Sequence, residues 1–196
     1  EQYYSAMGMD DREFVRADYA RAQKEPAADS MQSVIGRKSA VQRSLIADEL
    51  PLFPGVVTFL KQLRRRYSLG LVSMARRVEI DYVLERSGLG SLFAVVVSAE
   101  AVIAHKPDPE CYRLGLASLN EKRREGRHLP LLPAECLVIE DAPPGIEAGR
   151  GAGMRTLGVT NTVSENSLRA AGAEVVTVSL EDWTADALHL VFFDRR

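Results

Sequence analysis

The fold class this sequence predicts is a Rossmann-like parallel α/β sheet with a small helical piece ahead of it, on three observations. From Pro51 onward, short apolar, β-branched runs alternate with amphipathic stretches at the spacing of βα units. Turn residues fall where one run gives way to the next, as at Phe53-Pro54-Gly55, Ser87-Gly88 and Pro143-Pro144-Gly145. Residues 1–50 contain no strand-like run and read as helical throughout.

In order, Phe14, Val15, Tyr19 and Ala22 recur at helical spacing among charged residues, and Pro26 ends the pattern. A second helix is expected after Gly36-Arg37-Lys38-Ser39, with Ser39 as its cap and Val41, Leu45 and Ile46 on its inner face. The same four residues also read as a basic loop facing a substrate. Val56, Phe59, Leu60 and Leu63 mark the next helix, which ends in three arginines favourable to its dipole. Leu69 to Val72 reads as a buried strand ending at Ser73, and Arg76, Arg77, Ile80, Val83 and Leu84 as the helix after it. Phe93 to Val97 is a strand, Ala104 to Pro109 a loop, Cys111 to Leu119 a helix and Asn120 to Pro133 a surface excursion. Leu137 to Ile139, Thr156 to Val159 and Val175 to Val178 are the remaining strands, with helix-like sequence from Ile146 to Met154. The expected division is 1–50 as a helical cap and 51–196 as the α/β core.

Composition excludes several classes. With 46% hydrophobic and 27% charged residues, 196 residues suit a globular protein with a sizeable core. A net charge of −2 with interspersed signs advertises neither nucleic acid nor an anionic membrane. No apolar run approaches the ~20 residues of a membrane span, and no signal-peptide pattern opens the chain. Cys111 and Cys136 lack metal-type spacing, which suits reduced thiols in a cytoplasmic protein.

The stretch Cys136 to Gly149 carries the chemistry. Glu140 and Asp141 end an apolar strand, where ligands gather in open α/β sheets. Two adjacent acids repel unless a cation sits between them, and hard oxygens of this kind suit Mg²⁺. An Asp helix cap beside a surface Glu is the bland reading. Two further features lie just past other strands. Ser73 offers a hydroxyl and Arg76 opens a helix whose N–H groups point outward. Lys106 stands in a loop stiffened by Pro107 and Pro109, so its ammonium is presented in one direction. Hydroxyl, lysine and acid pair above one sheet make a phosphoryl-transfer site.

These residues resemble the haloacid dehalogenase superfamily, in particular the subgroup of β-phosphoglucomutase and phosphoglycolate phosphatase. Leu71-Val72-Ser73 is similar to the family's second motif, His105-Lys106-Pro107-Asp108-Pro109 to its third, and Val138-Ile139-Glu140-Asp141 with Pro144 to Gly149 to its fourth. The resemblance implies a Mg²⁺-dependent phosphatase or phosphomutase acting on a small phosphorylated metabolite. Ser73, Arg76 and Lys106 would bind the phosphoryl group, Glu140 and Asp141 the metal, and cap residues such as Arg37 and Lys38 the substrate. Neither nucleic acid nor membrane is an expected partner, and a monomer or weak dimer is the expected state.

The family's first motif is absent. Its Asp-x-Asp, the nucleophile and the acid–base, ends the first and central strand, and no such strand precedes the helical piece. Asp10-Asp11 follows Met7-Gly8-Met9 without an apolar strand, and Asp194 ends Leu190 to Phe193 but continues into Arg195-Arg196. Ala185, Leu188, Val191 and Phe192 favour a helix there over a displaced strand. The expectation is a chain incomplete at its N-terminus and inactive as it stands. The alternative is a family member that binds phosphate or metal without turnover.

Overall fold

The computed structural model describes residues 9–194. Met7 and Gly8 of the leader before Asp10, and Arg195-Arg196 after Asp194, lie outside the described residues.

Two helices come first, α1 (Asp11–Arg21) and α2 (Ala28–Leu45). Asp10 caps α1: its side chain accepts from the Glu13 N–H while Glu13 reaches back to the Asp10 N–H, a reciprocal box that satisfies two first-turn donors. The second helix differs from the expectation. It starts at Ala28, so Gly36 to Ser39 lie inside it, and Ser39 is no cap but donates its hydroxyl back to Ile35 O. Val41 and Leu45 face outward, while Ile35 is the buried apolar residue of that helix. A Gly-Arg-Lys-Ser run looks like a helix start, but Gly36 is tolerated on the exposed face and the run has no Pro or Asp to stop the helix.

Beyond Pro51 the elements alternate: α3 (Val56–Arg64), β1 (Gly70–Val72), α4 (Arg77–Ser87), β2 (Val95–Val97), α5 (Glu110–Glu125), β3 (Leu137–Glu140), α6 (Pro143–Gly151), β4 (Arg155–Val159), α7 (Glu165–Ala170), β5 (Val175–Thr177) and α8 (Ala185–Phe192). Two departures from the sequence reading stand out. Helix α5 runs on to Glu125, because the polar residues from Asn120 are good helix formers and only Gly126 ends the pattern. The short helix α7, capped by Ser164, has too few residues to show a period.

Every pairing is parallel. β1 pairs with β2 (Leu71 opposite Val96), and β3, β4 and β5 form a second sheet in that order (Ile139 opposite Leu157, Gly158 opposite Val176). Helices cover both faces. On one side Cys111 and Tyr112 of α5 and Ala148 of α6 pack with Val97 and Val138. On the other, Phe59 and Leu63 of α3 and Leu188 and Phe192 of α8 pack on Leu157. Helix α6 lies very close to its strand, since a Cβ at Gly149 would stand 3.0 Å from the Val138 side chain.

Between the sheets β1 and β3 do not pair. Their facing edges line a cavity of about 490 Å³, walled by Phe59 and Leu63 on one side and by Gly115 and Leu116 on the other. Unpaired parallel edges on both walls of an apolar slot are unusual, because buried strands ordinarily complete their ladders.

Candidate functional site

The carboxyl ends of β1 and β3 open at the top of that slot, and Lys106 bridges them. Its ammonium is ion-paired with Glu140 and lies 3.4 Å from Val72 O. The lysine is only 8% exposed and Glu140 13%. Tyr112 of α5 donates its hydroxyl to Glu140 Oε1 at 2.6 Å, and the lysine ammonium lies 5.0 Å from the tyrosine ring centre. Burial first, and then the Glu140 carboxylate, holds the Tyr112 phenol well above its ordinary value, so it remains a neutral donor.

The Lys106 loop is fixed from behind. Glu110, in the first turn of α5, accepts from the Ile103 and Ala104 N–H groups at 3.0 and 2.8 Å, and Asp108 accepts from the Glu110 N–H at 2.8 Å. Those backbone donors hold the Glu110 carboxyl below its ordinary range. The Lys106–Pro107 peptide is cis.

Ser73 follows β1 directly. Its N–H donates to Val97 O at 2.9 Å and its hydroxyl oxygen accepts from the Ala75 N–H at 3.1 Å, which leaves the hydroxyl hydrogen available to an anion. Arg76 is the cap residue of α4, and its guanidinium binds Ser39 and lies 3.4 Å from Glu79. Glu79 is 5% exposed, so burial raises its carboxyl value, yet the Ser39 hydroxyl, Lys38 and Arg76 together hold it below the ordinary one.

The two acids after β3 diverge. Glu140 turns to Lys106 and Tyr112, while Asp141 accepts from the Thr162 hydroxyl. Gly145 makes the Glu140 pose possible, because a Cβ there would lie 2.2 Å from the Glu140 carboxyl carbon. Both contacts to Glu140 use Oε1 and the one to Asp141 uses Oδ2, so each carboxylate keeps an oxygen unbonded among the described residues. Two hard carboxylate oxygens at a strand end fit Mg²⁺, which fills its other positions with phosphate and water.

The structure therefore brings Ser73, Lys106 and Glu140 to the mouth of one slot, with Asp141 next in the chain. Arg76 and Lys38 instead meet around Asp11 of α1. Arg37 is exposed on α2. Asp194 lies at the end of α8, where its N–H donates to His189 O, and the run before it is helical, as its spacing predicts. Tyr112, Glu110 and Thr162 escape a sequence reading: the first two look like ordinary helix residues, and Thr162 lies in an unpatterned loop. A further group, Asp10, Glu13 and His105, has ligand atoms within 4.8 Å of one another. The reciprocal cap of α1 and the contact of His105 with Glu13 already employ it. Cys111 is fully buried, and burial pushes the Cys136 thiol up to about 11, so neither is an activated nucleophile. No helix among the described residues is long and apolar enough to cross a membrane.

Residues 1–153 match the family model of the haloacid dehalogenase-like hydrolases. The chain belongs to that family. Within it, the chain is 31% identical over 170 residues to validoxylamine A 7'-phosphate phosphatase of Streptomyces hygroscopicus subsp. limoneus, covering 82% of this chain and 75% of the relative. It is 30% identical over 161 residues to the β-phosphoglucomutase of Bacillus subtilis, covering 81% and 64%. A crystal structure of β-phosphoglucomutase from Clostridium difficile superposes with a TM-score of 0.80 at 22% identity, over 96% of this chain and 79% of that one. These neighbours place the chain in the β-phosphoglucomutase and phosphatase subgroup and share its Rossmann-like fold. The chain spans from 11% to 75% of the length of the first curated relatives it matches.

Proposed function

We propose that this haloacid dehalogenase-like chain carries the phosphate- and metal-binding part of a Mg²⁺-dependent phosphohydrolase, a phosphatase or phosphomutase for a small phosphorylated metabolite. The observation that carries the reading is the position of Lys106 across the mouth of the slot, joined to Glu140 and to the end of β1. A cation held there neutralises a phosphoryl group and its attacking carboxylate together. Ser73 orients a phosphoryl oxygen through its hydroxyl hydrogen. Tyr112, kept protonated, holds Glu140 in place. Glu140 and Asp141 would hold Mg²⁺, which supplies charge neutralisation on the phosphoryl oxygens.

The attacking group of this reading is an aspartate that takes the phosphoryl group as an aspartyl-phosphate. It enters on an extended segment in the slot between β1 and β3, outside residues 1–196. Helices α1 and α2 act as part of a cap over the substrate site. The named activities of the phosphatase and mutase relatives support the substrate class.

The test is Mg²⁺-dependent hydrolysis of p-nitrophenyl phosphate by two proteins. The 196-residue chain should show none. The same chain preceded by an apolar strand ending in Asp-x-Asp should turn over, and D141N should abolish that turnover. Mg²⁺-dependent turnover by the 196-residue chain itself, lost in D141N, overturns the missing-nucleophile reading. A second reading is favoured by one fact: among the described residues, Lys106 pairs with no aspartate. Phosphate and Mg²⁺ binding by both proteins without turnover by either would establish a non-catalytic binding or regulatory protein.

A further inference from the structure

The first turn of α1 presents three carboxylates, and each meets a basic group on the rim of the phosphoryl site. Asp11 is ion-paired with Lys38 of α2, and its Oδ2 lies 3.6 Å from Arg76 Nε. Glu13 Oε2 lies 3.0 Å from His105 Nδ1, and Asp10 Oδ2 lies 3.9 Å from His105 Nε2. The contact thus spans both loops that carry the phosphate-binding residues: Arg76 stands three positions after Ser73, and His105 directly precedes Lys106.

Lys38 donates a hydrogen bond to Asp11, but the Arg76 Nε and His105 Nδ1 sides of this contact are poorly hydrogen-bonded. Four buried side-chain polar atoms lack a hydrogen bond among the described residues, and three of them are Asp11 Oδ2, Arg76 Nε and His105 Nδ1. A permanent structural contact ordinarily satisfies such groups, since leaving them unpaired is costly. Asp11 is 14% exposed, so its carboxylate is partly withdrawn from water between two cations that could serve a phosphate equally well. A phosphate group has more acceptor oxygens than the carboxylate and carries more charge, so it competes for the same pair.

We propose that the acidic first turn of α1 is an electrostatic latch. Asp11 occupies a position between Lys38 and Arg76 that a phosphorylated ligand takes over, and its displacement frees α1 from the rim. The proposal rests on the phosphoryl-site reading above and adds its regulation. The competing account is a fixed helix held by ordinary surface ion pairs, with no effect on anion binding.

The test uses inorganic phosphate and the 196-residue chain at low ionic strength, with binding read by isothermal titration. D11N is near-isosteric and spares the Asp10 cap, so α1 should persist, as circular dichroism would check. D11N should tighten phosphate binding about two- to fivefold, the effect of removing one competing ion pair. In the R76Q background, D11N should give no such gain. Saturating phosphate should also speed hydrogen exchange of the α1 amides in the unaltered chain. Equal phosphate affinity in the unaltered chain and D11N overturns the latch alone, as does α1 exchange indifferent to phosphate. Absence of phosphate binding in both proteins removes the phosphoryl-site reading and the latch with it.

Discussion

Replacing Lys106 by methionine tests the centre of the site without reference to any substrate. Methionine keeps most of the aliphatic stem beside Tyr112 and removes only the charge. Lys106 and Glu140 are 8% and 13% exposed, near the buried limit. Removing one partner of a buried pair costs about 3–5 kcal/mol. The Tyr112 hydroxyl still donates to Glu140 at 2.6 Å and offsets about 1–2 kcal/mol of that loss. The expected destabilisation is therefore about 1–4 kcal/mol. At about 2–4 °C per kcal/mol for a chain of this size, the melting midpoint should fall by about 2–16 °C. E140Q alone should also destabilise, because it removes the carboxylate charge and leaves the ammonium with neutral partners such as Val72 O at 3.4 Å. The double variant should lose less than the sum of the singles by at least about 1 kcal/mol, read from chemical denaturation of all four proteins. A K106M midpoint within about 2 °C of the unaltered chain, or strict additivity in the cycle, would refute the reasoning.

Two further outcomes follow from local geometry. G145A places a Cβ where the Glu140 carboxyl carbon now lies, 2.2 Å away, so that flexible side chain must swing off Lys106 and Tyr112. The expected cost is about 1–3 kcal/mol, and in denaturant melts it should nearly vanish when E140A is already present; full additivity would show that Gly145 serves another purpose. Glu79 has a folded value below its ordinary 4.5, so the folded state binds fewer protons than the unfolded one across that interval. The resulting stability is present above about pH 4.5 and is lost as pH falls through the lower folded value. Melting midpoints of the unaltered chain should drop more steeply from pH 5 to pH 3 than those of E79Q, and parallel curves would contradict the assignment.

How much of this was legible in sequence depends on range. Strands β1 to β5 and the longer helices around them show in local alternation, because a buried parallel strand needs a continuous apolar run and little else. Arg76, Ser73 and the Glu140-Asp141 pair are recognisable because each sits at or just past the end of such a run, and Lys106 because prolines stiffen the loop that carries it. Helix boundaries were less so: Gly36 to Ser39 carry start signals, yet the backbone of α2 runs straight through them.

What the sequence determined by itself was the family resemblance and the strand-end placement of the site residues. Only the tertiary structure decided where those side chains go. It joined Glu140 to Lys106 and Tyr112, sent Asp141 to Thr162, and set Asp11 between Lys38 and Arg76. It also opened the slot between β1 and β3, whose edges are remote in sequence. The physical reason is that local periodicity fixes which face of an element is apolar. Which charged group meets which across the fold depends on how those elements pack, and on rotamers chosen by neighbours far along the chain.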